Sequence, residues 1–226
     1  MFDVGSIRAV TFDCYGTLID WEAGILAYVT PHLLREAPLA PTPEAWLERW
    51  EPIQFGLLRP WRPYAEVLME SFEATMRSFA MPSFSDGGPG LVRSLGEWAP
   101  FPDTVPALRK MARRRRLGII SNIDRQLMAQ TLGQLLAPIG MVVTAEDVQA
   151  YKPDEAPFRR ALEQLGLAPG EVLHAAFGWK YDLGPAKALG MRTCWVNRGG
   201  IARPQDGVVP DLEVPSLKAL ADVLEG

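Results

Sequence analysis

The sequence predicts an α/β fold in which a Rossmann-like doubly wound parallel sheet carries an inserted helical cap domain. Short apolar runs of β-forming residues alternate with amphipathic stretches near the start of the chain and again from residue 99 onward. This alternation is typical of right-handed βαβ units. Residues 19–98 show helical periodicity and no strand-like run. The predicted core therefore comprises residues 1–18 and 99–226, and residues 19–98 form the predicted cap.

The first strand ends on a carboxylate. An apolar run that begins at Ala9 leads directly into Asp13, and the chain then turns at Gly16. In a parallel α/β sheet the carboxyl ends of the strands face the ligand crevice, where an aspartate can act as a nucleophile. Asp13 is therefore the first candidate for chemistry.

The inserted stretch is predicted to form short amphipathic helices. Its tryptophans and other aromatic residues recur at helical spacing, and prolines such as Pro31 and Pro52 are expected to interrupt the helices. Residues 86–90 (DGGPG) are expected to form a turn. An aromatic-rich cap could also supply the interface of a homodimer.

The remainder of the chain continues the alternation. Strands are predicted at residues 117–121, 141–144, 172–176 and 193–196. Helices are predicted at residues 105–111, 127–136, 156–165, 183–189 and 216–224.

The composition excludes several classes of function. The chain has 226 residues, a net charge of -4 and 48% hydrophobic residues, so nothing in it favours binding to nucleic acid or to an anionic membrane. The expected partner is a small molecule. No export signal or membrane-spanning run is apparent, so the expected location is cytoplasmic. The two cysteines, Cys14 and Cys194, predict neither a disulfide framework nor a metal site.

Polar side chains follow several predicted strands. Asp13, the pair Ser121 and Asn122, Lys152 and Asp182 come after successive strands. Because the carboxyl ends of parallel strands meet at one edge of the sheet, these residues are expected to converge. An isolated Asp or Ser at a strand end is often only a helix cap, whereas four such positions in order form a plausible catalytic set.

The ordered motifs resemble those of the haloacid dehalogenase superfamily of hydrolases. The resemblance rests on Phe12-Asp13-x-Tyr15-Gly16-Thr17-Leu18, Ser121-Asn122, Tyr151-Lys152-Pro153-Asp154 and Asp182-x-x-Pro185-Ala186-Lys187-Ala188-Leu189-Gly190. It implies that Asp13 is the nucleophile and that Thr17 and Ser121 form hydrogen bonds at the reacting centre. Lys152 is implied to orient Asp13 and to lower its pKa.

Two positions depart from the pattern of the phosphatases in this superfamily. The aspartate that protonates the leaving oxygen in those enzymes is replaced by Tyr15, a poor acid for that task. The acidic residue that completes their magnesium site is replaced by Phe177, with Trp179 and Lys180 nearby. The resemblance therefore implies no metal and no other cofactor, with Mg²⁺ expected only if the protein is a phosphatase.

The Asp-x-Tyr-Gly-Thr pattern resembles the L-2-haloacid dehalogenase branch. It implies metal-independent hydrolysis of the carbon–halogen bond of short 2-haloalkanoic acids, with Asp13 forming an ester that water activated near Asp182 then cleaves. The resemblance also implies an anion-binding arginine in the first part of the cap, for which Arg49 is the first candidate and Arg59 and Arg62 are competitors. The implied substrate-binding residues are Tyr15, Asn122, Arg49, Phe177 and Trp179.

Two alternatives stay open at this stage. One is a magnesium-dependent phosphatase that acts on a small phosphorylated metabolite. The other is a binding protein that has the fold but no catalysis. Turnover, and its dependence on a metal, would distinguish the three hypotheses.

Overall fold

The computed structural model describes residues 3–36, 39–82, 84, 86–205 and 207–226. By its internal contacts the chain divides into two compact units. The first unit comprises Met1–Ile19, Pro100–Asn122 and Leu135–Gly226, and the second comprises Asp20–Ala99 and Ile123–Gln134.

The first unit is built on a parallel sheet, as the sequence predicts. Its strands are β1 (Ala9–Phe12), β2 (Arg116–Ser121), β3 (Met141–Thr144), β4 (Val172–Ala176), β5 (Arg192–Val196) and β6 (Leu212–Val214). They lie in the order β3-β2-β1-β4-β5-β6, and each neighbouring pair is parallel. The predicted α/β fold class is confirmed.

The described residues form ten α-helices. In chain order they are α1 (Trp21–Arg35), α2 (Pro43–Gly56), α3 (Tyr64–Ser78), α4 (Gly87–Ser94), α5 (Thr104–Met111), α6 (Arg125–Leu135), α7 (Ala145–Val148), α8 (Ala156–Leu165), α9 (Gly184–Ala188) and α10 (Leu217–Glu225). None of the helices in these described ranges combines the length and the apolar character that crossing a membrane requires.

The register of the central strands defines the functional edge of the sheet. Phe12 at the end of β1 pairs with Ile119 in β2 and with Ala175 in β4. Every residue of β1 and β4 is buried, as expected for central strands of a parallel sheet. The residues just after these strands therefore emerge side by side.

The second unit contains α1 to α4 together with most of α6. Trp46 and Phe72 are buried in its core, with ring centroids 5.6 Å apart. The carboxylate of Asp124, just before α6, accepts hydrogen bonds of 2.8 Å from the first two backbone N–H groups of α3. This cap ties the start of α6 to the other helices of the unit.

Residues 86–90 do not form the expected turn, because Gly87–Ser94 is helical. Glycines disfavour an isolated helix, but here they permit close packing. A Cβ atom at Gly87 would lie 2.4 Å from the Phe72 ring, and one at Gly88 would lie 2.8 Å from the Cα atom of Met69. Contact with α3 therefore outweighs the weak helix propensity of this segment.

Pro31 and Pro52 do not interrupt helices as expected, since both lie inside helices, in α1 and α2. The structure also adds β6 and α7, which the sequence did not predict. The strand β6 has only three residues, the middle one being Glu213, and Pro215 follows it directly. So short and polar a segment carries no recognisable strand pattern.

Candidate active site

The turn after β1 presents Asp13 and brings a hydroxyl group to it. The Asp13 N–H donates to the carbonyl of Ala175, which extends the β-ladder to the carboxylate itself. Gly16, with φ of 91°, then reverses the chain, and the Thr17 hydroxyl donates to Asp13 Oδ2 at 2.9 Å. The Asp13 side chain is buried except for a small fraction, so one face of the carboxylate remains reachable.

Lys152 is the centre of the cluster. Its Nζ atom donates to Asp13 Oδ1 at 2.8 Å, to Asp182 Oδ1 at 2.6 Å and to the carbonyl of Ile120 at 3.0 Å. A lysine ammonium has three donors, and these three acceptors use all of them. The sequence correctly predicted that Asp13, Lys152 and Asp182 converge.

Asn122 holds the backbone of Lys152. The Lys152 N–H donates to Asn122 Oδ1 at 2.7 Å, and Asn122 Nδ2 donates to the Lys152 carbonyl at 3.2 Å. The amide therefore fixes both polar groups of that residue's main chain, a contact that the sequence did not indicate. Its role in binding substrate stays a prediction.

Asp182 lies on a single π-helical turn, Trp179–Leu183, that follows β4. Its Oδ1 atom lies 3.2 Å from His174 Nε2, and His174 Nδ1 lies 3.0 Å from the Thr11 hydroxyl. His174 is not among the candidate residues that the sequence indicates. The sequence shows only that Thr11 and His174 are polar residues inside two apolar strands. The structure pairs them across β1 and β4.

The electrostatics of the cluster depend on burial and on the shared lysine. Burial raises the pKa of Asp13, and although Lys152 lowers it, the negative charge of Asp182 adds to the rise, so the net shift is upward. Lys152 therefore lowers the pKa of Asp13 as expected, but desolvation is the larger effect and leaves the net shift upward.

The other two members of the cluster shift in the directions that favour their charged forms. Burial raises the pKa of Asp182. Lys152 and the hydrogen bond from His174 together lower it by a larger amount, so the net shift is downward. Burial lowers the pKa of Lys152, yet the two carboxylates raise it above its usual value. With one ammonium and two carboxylates, the ionised cluster carries a net charge of about -1.

Ser121 and Tyr15 lie beside this cluster. Ser121 is buried at the end of β2, next to Ile120, whose carbonyl binds the Lys152 ammonium. Tyr15 is half-buried in the turn after β1, and its backbone bridges to Ile19. Both residues thus occupy the predicted edge of the sheet, and their contacts with substrate stay predictions.

Phe177 packs against the turn that follows Asp13. A Cβ atom at Gly16 would lie 2.4 Å from the Phe177 ring, and the Phe177 N–H donates to the Thr17 hydroxyl at 3.0 Å. Nevertheless the Phe177 side chain is 40% exposed. Trp179 instead packs edge-on against Trp195, with ring centroids 4.7 Å apart.

The predicted anion-binding arginines belong to the second unit. Arg49 is exposed on α2, and its guanidinium carbon lies 5.7 Å from the centroid of the Phe79 ring. Arg62 forms an ion pair with Glu70 at 2.6 Å, and Arg59 is exposed.

The residues around Asp13 do not fit a magnesium ion. The Lys152 ammonium binds one oxygen of Asp13 and one oxygen of Asp182. Mg²⁺ requires oxygen ligands, and Phe177 offers a phenyl ring instead. Across the described ranges, no group of three or more His, Cys, Asp or Glu side chains is arranged to hold a metal ion.

Comparisons with known proteins give a consistent result. Residues 7–190 match the sequence profile of a hydrolase family described as haloacid dehalogenase-like hydrolase. The chain is 27% identical to an (S)-2-haloacid dehalogenase from Pseudomonas sp. (strain YL) over 228 residues, covering 97% of this chain and 95% of the relative. It is 29% identical to a phosphoserine phosphatase from Thermus thermophilus over 205 residues, covering 82% of this chain and 79% of the relative.

The fold is also found among solved structures. The crystal structure of a defluorinating L-2-haloacid dehalogenase superposes with a TM-score of 0.82 at 26% sequence identity, covering 97% of this chain and 96% of the other.

Proposed function

Because the chain belongs to the haloacid dehalogenase-like hydrolases, we propose that it hydrolyses the carbon–halogen bond of short 2-haloalkanoic acids without a metal ion. The observation that carries the proposal is the pair of departures Tyr15 and Phe177, which stand where the phosphatases of this superfamily are expected to have acidic residues. Phe177 lies against the turn that follows Asp13 and offers a phenyl ring where a divalent cation would need a carboxylate. The (S)-2-haloacid dehalogenase relative, similar over almost the whole chain, supports the same substrate class.

A halide leaving group is consistent with a tyrosine, and not an acidic residue, at position 15. A halide leaves as a stable anion and needs no proton, whereas the alkoxide that leaves a phosphate ester does. Tyrosine, with an ordinary pKa of about 10, suits the first reaction better than the second.

In the first step a carboxylate oxygen of Asp13 attacks C2 of the substrate opposite the halogen. The carbon–oxygen bond forms as the carbon–halogen bond breaks, and the bonding electron pair leaves with the halide. Lys152 and Thr17 each hold one oxygen of Asp13 and so orient the nucleophile.

In the second step water attacks the carbonyl carbon of the Asp13 ester. Asp182 accepts one proton from that water, and the other proton of the water passes to the alkoxide oxygen as the ester bond breaks. This releases a 2-hydroxy acid and restores the Asp13 carboxylate. The lowered pKa of Asp182 keeps it ionised and able to accept this proton. The net reaction consumes one water and yields the hydroxy acid, a halide ion and a proton.

Binding of the substrate carboxylate needs a further positive charge. The ionised cluster is negative overall and repels an anion, so a guanidinium must supply the attraction. We assign this role to Arg49, with Arg59 and Arg62 as the alternatives. Ser121, Asn122 and Tyr15 supply polar contacts to the halide or the carboxylate, and Phe177 and Trp179 provide apolar walls.

The test is halide and phosphate release by the purified protein, measured with EDTA and with Mg²⁺. Substrates are chloroacetate, fluoroacetate, L-2-chloropropionate and a panel of phosphomonoesters. Halide release that persists in EDTA supports the proposal. Phosphate release that requires Mg²⁺ supports a phosphatase instead, the activity named for the Thermus thermophilus relative.

A further inference from the structure

The two oxygens of Asp182 have different surroundings. Oδ1 accepts hydrogen bonds from both Lys152 Nζ and His174 Nε2. Within the described part of the chain, no hydrogen bond to Oδ2 is found. One oxygen therefore anchors the carboxylate, and the other is left to accept a proton.

The contacts of His174 fix the position of its proton. An ionised carboxylate only accepts hydrogen bonds, so the ring nitrogen facing Asp182 must be the N–H donor. In the neutral ring Nδ1 is then an acceptor, and the Thr11 hydroxyl donates to it across 3.0 Å. The ring is fully buried and packs edge-on against Phe158, with centroids 5.1 Å apart, so it has little freedom to turn.

The backbone leaves space beside Oδ2. A Cβ atom at Gly178 would lie 2.5 Å from Asp182 Oδ2, closer than any real side chain could approach. Glycine at this position therefore keeps one side of the free oxygen open. Lys152 and His174 hold Oδ1 of the carboxylate. Gly178, which has no side chain, does not obstruct Oδ2.

We propose that His174 is a positioning residue that reserves Asp182 Oδ2 for the water that hydrolyses the Asp13 ester. This inference rests on the proposed function and adds to it a residue that does not touch the substrate. Without His174, Asp182 is held by Lys152 alone, which also holds Asp13, and the carboxylate can rotate. Ester hydrolysis then slows, whereas the attack of Asp13 on the substrate, which does not use Asp182 as a base, continues.

The first experiment separates the two steps in a single turnover. Enzyme in excess is mixed with L-2-chloropropionate, and halide release, hydroxy acid release and the mass of the intact protein are followed over time. His174→Leu is expected to release halide at nearly the wild-type rate, to accumulate the ester and to release hydroxy acid about 10- to 100-fold more slowly, the usual range for a lost positioning contact. His174→Gln, which retains an N–H donor, should restore most of the hydrolysis rate.

A second variant tests the inference without removing the buried ring. Gly178→Ala crowds Oδ2 from the other side and should also accumulate the ester. The matched control is Gly184→Ala, because Gly184 follows the same π-helical turn and its added Cβ atom would meet nothing within 4 Å. The control should leave both steps unchanged.

The protonation of His174 gives a readout that does not depend on activity. The chain has only two histidines, His32 and His174, so the imidazole ¹⁵N signals are assigned with a single His32→Gln variant. His174 should show the Nε2–H tautomer in the wild type, and Thr11→Val should weaken this preference.

The outcomes separate the inference from the proposed function. Equal slowing of halide and hydroxy acid release in His174→Leu would show a purely structural role and overturn the inference, as would unchanged ester hydrolysis in both His174→Leu and Gly178→Ala. An Nδ1–H tautomer in the wild type would also overturn it. A wild-type protein that releases no halide would instead reject the proposed function, and the inference with it.

Discussion

At the scale of single residues, the site places more negative than positive charge in a buried position. Asp13, Lys152 and Asp182 are each almost fully buried, and one ammonium serves two carboxylates. Such an arrangement favours reactivity over stability, because desolvation works against every ionised group. Substitutions of Asp13 and of Lys152 should therefore affect stability in opposite directions.

Asp13→Asn should abolish turnover and leave the protein equally or more stable at neutral pH. The folded-state pKa of Asp13 is raised by burial above 3.8, so its ionisation destabilises the fold at pH above that raised value. Asparagine removes this penalty together with the nucleophilic oxygen. As the pH falls toward 3.8, Asp13 becomes protonated in the wild type and the stability difference should disappear. Thermal unfolding across this pH range checks the stability, and a halide assay checks the activity. Wild-type activity in Asp13→Asn would contradict the assignment of Asp13 as the nucleophile.

Lys152→Met should reduce turnover by orders of magnitude and destabilise the fold by about 3–5 kcal/mol, because it leaves two buried carboxylates without a cation. Urea unfolding measures the loss. Lys110→Met is the control, since Lys110 forms an ion pair with Asp222 at the surface and its removal should leave stability almost unchanged. Similar losses of stability in the two variants would mean that burial of the ion pair does not determine how much stability is lost.

At the scale of elements, the turn after β1 links packing to chemistry. The backbone at Gly16 has a positive φ, and the Phe177 ring covers the space that a side chain would need. Phe177 in turn donates its N–H to the Thr17 hydroxyl, which donates to Asp13. The strand, the turn and the segment after β4 therefore fix one another.

Gly16→Ala should destabilise the protein and lower its activity. An alanine with this positive φ destabilises the fold by about 1–3 kcal/mol. The added methyl group would also collide with the Phe177 ring and displace the Phe177 N–H from the Thr17 hydroxyl. Gly166→Ala is the matched control, because Gly166 also has a positive φ, of 60°, but has open space around it. Chemical denaturation and halide release of both variants should show an activity loss confined to Gly16→Ala. Equal activity in the two variants would show that the Phe177 contact does not matter.

The sequence predicts those elements whose own pattern is strong. Strands β1 to β5 are apolar runs, and the convergence of Asp13, Lys152 and Asp182 follows from their positions after parallel strands. The helix α4 and the strand β6 depend on tertiary contacts, and the roles of Asn122 and His174 depend on register, which one sequence does not reveal. The net pKa of Asp13 could not be predicted, because it depends on the extent of burial.

At the scale of the whole molecule, the chemistry and the proposed anion-binding group come from different parts of the chain. Asp13 and Lys152 belong to the first unit, and the candidate arginines belong to the helical second unit. Because Arg49 and Arg59 are exposed, removing the guanidinium of either should affect substrate binding more than protein stability.

Arg49→Ala should raise KM for 2-haloacids by about 10- to 100-fold, the effect of losing a hydrogen-bonded ion pair worth about 1.5–3 kcal/mol. Arg59→Ala and Arg62→Ala are measured in parallel to identify which arginine binds the substrate carboxylate. Arg113→Ala is the control, because Arg113 is an exposed arginine of the first unit. An unchanged KM in all three cap variants would contradict a cap arginine as the anion-binding group.

The most direct test of the central claim is the mass of the Asp182→Asn variant after incubation with chloroacetate in EDTA. Because this variant cannot hydrolyse the ester, it should gain one carboxymethyl group on the peptide that contains Asp13, and hydroxylamine should remove it. The neighbouring Cys14 has a pKa raised by burial, and a thioether formed there would resist hydroxylamine. A hydroxylamine-sensitive adduct on Asp13 is the predicted result. An unmodified protein, or an adduct at any other residue, would contradict metal-free dehalogenation by Asp13.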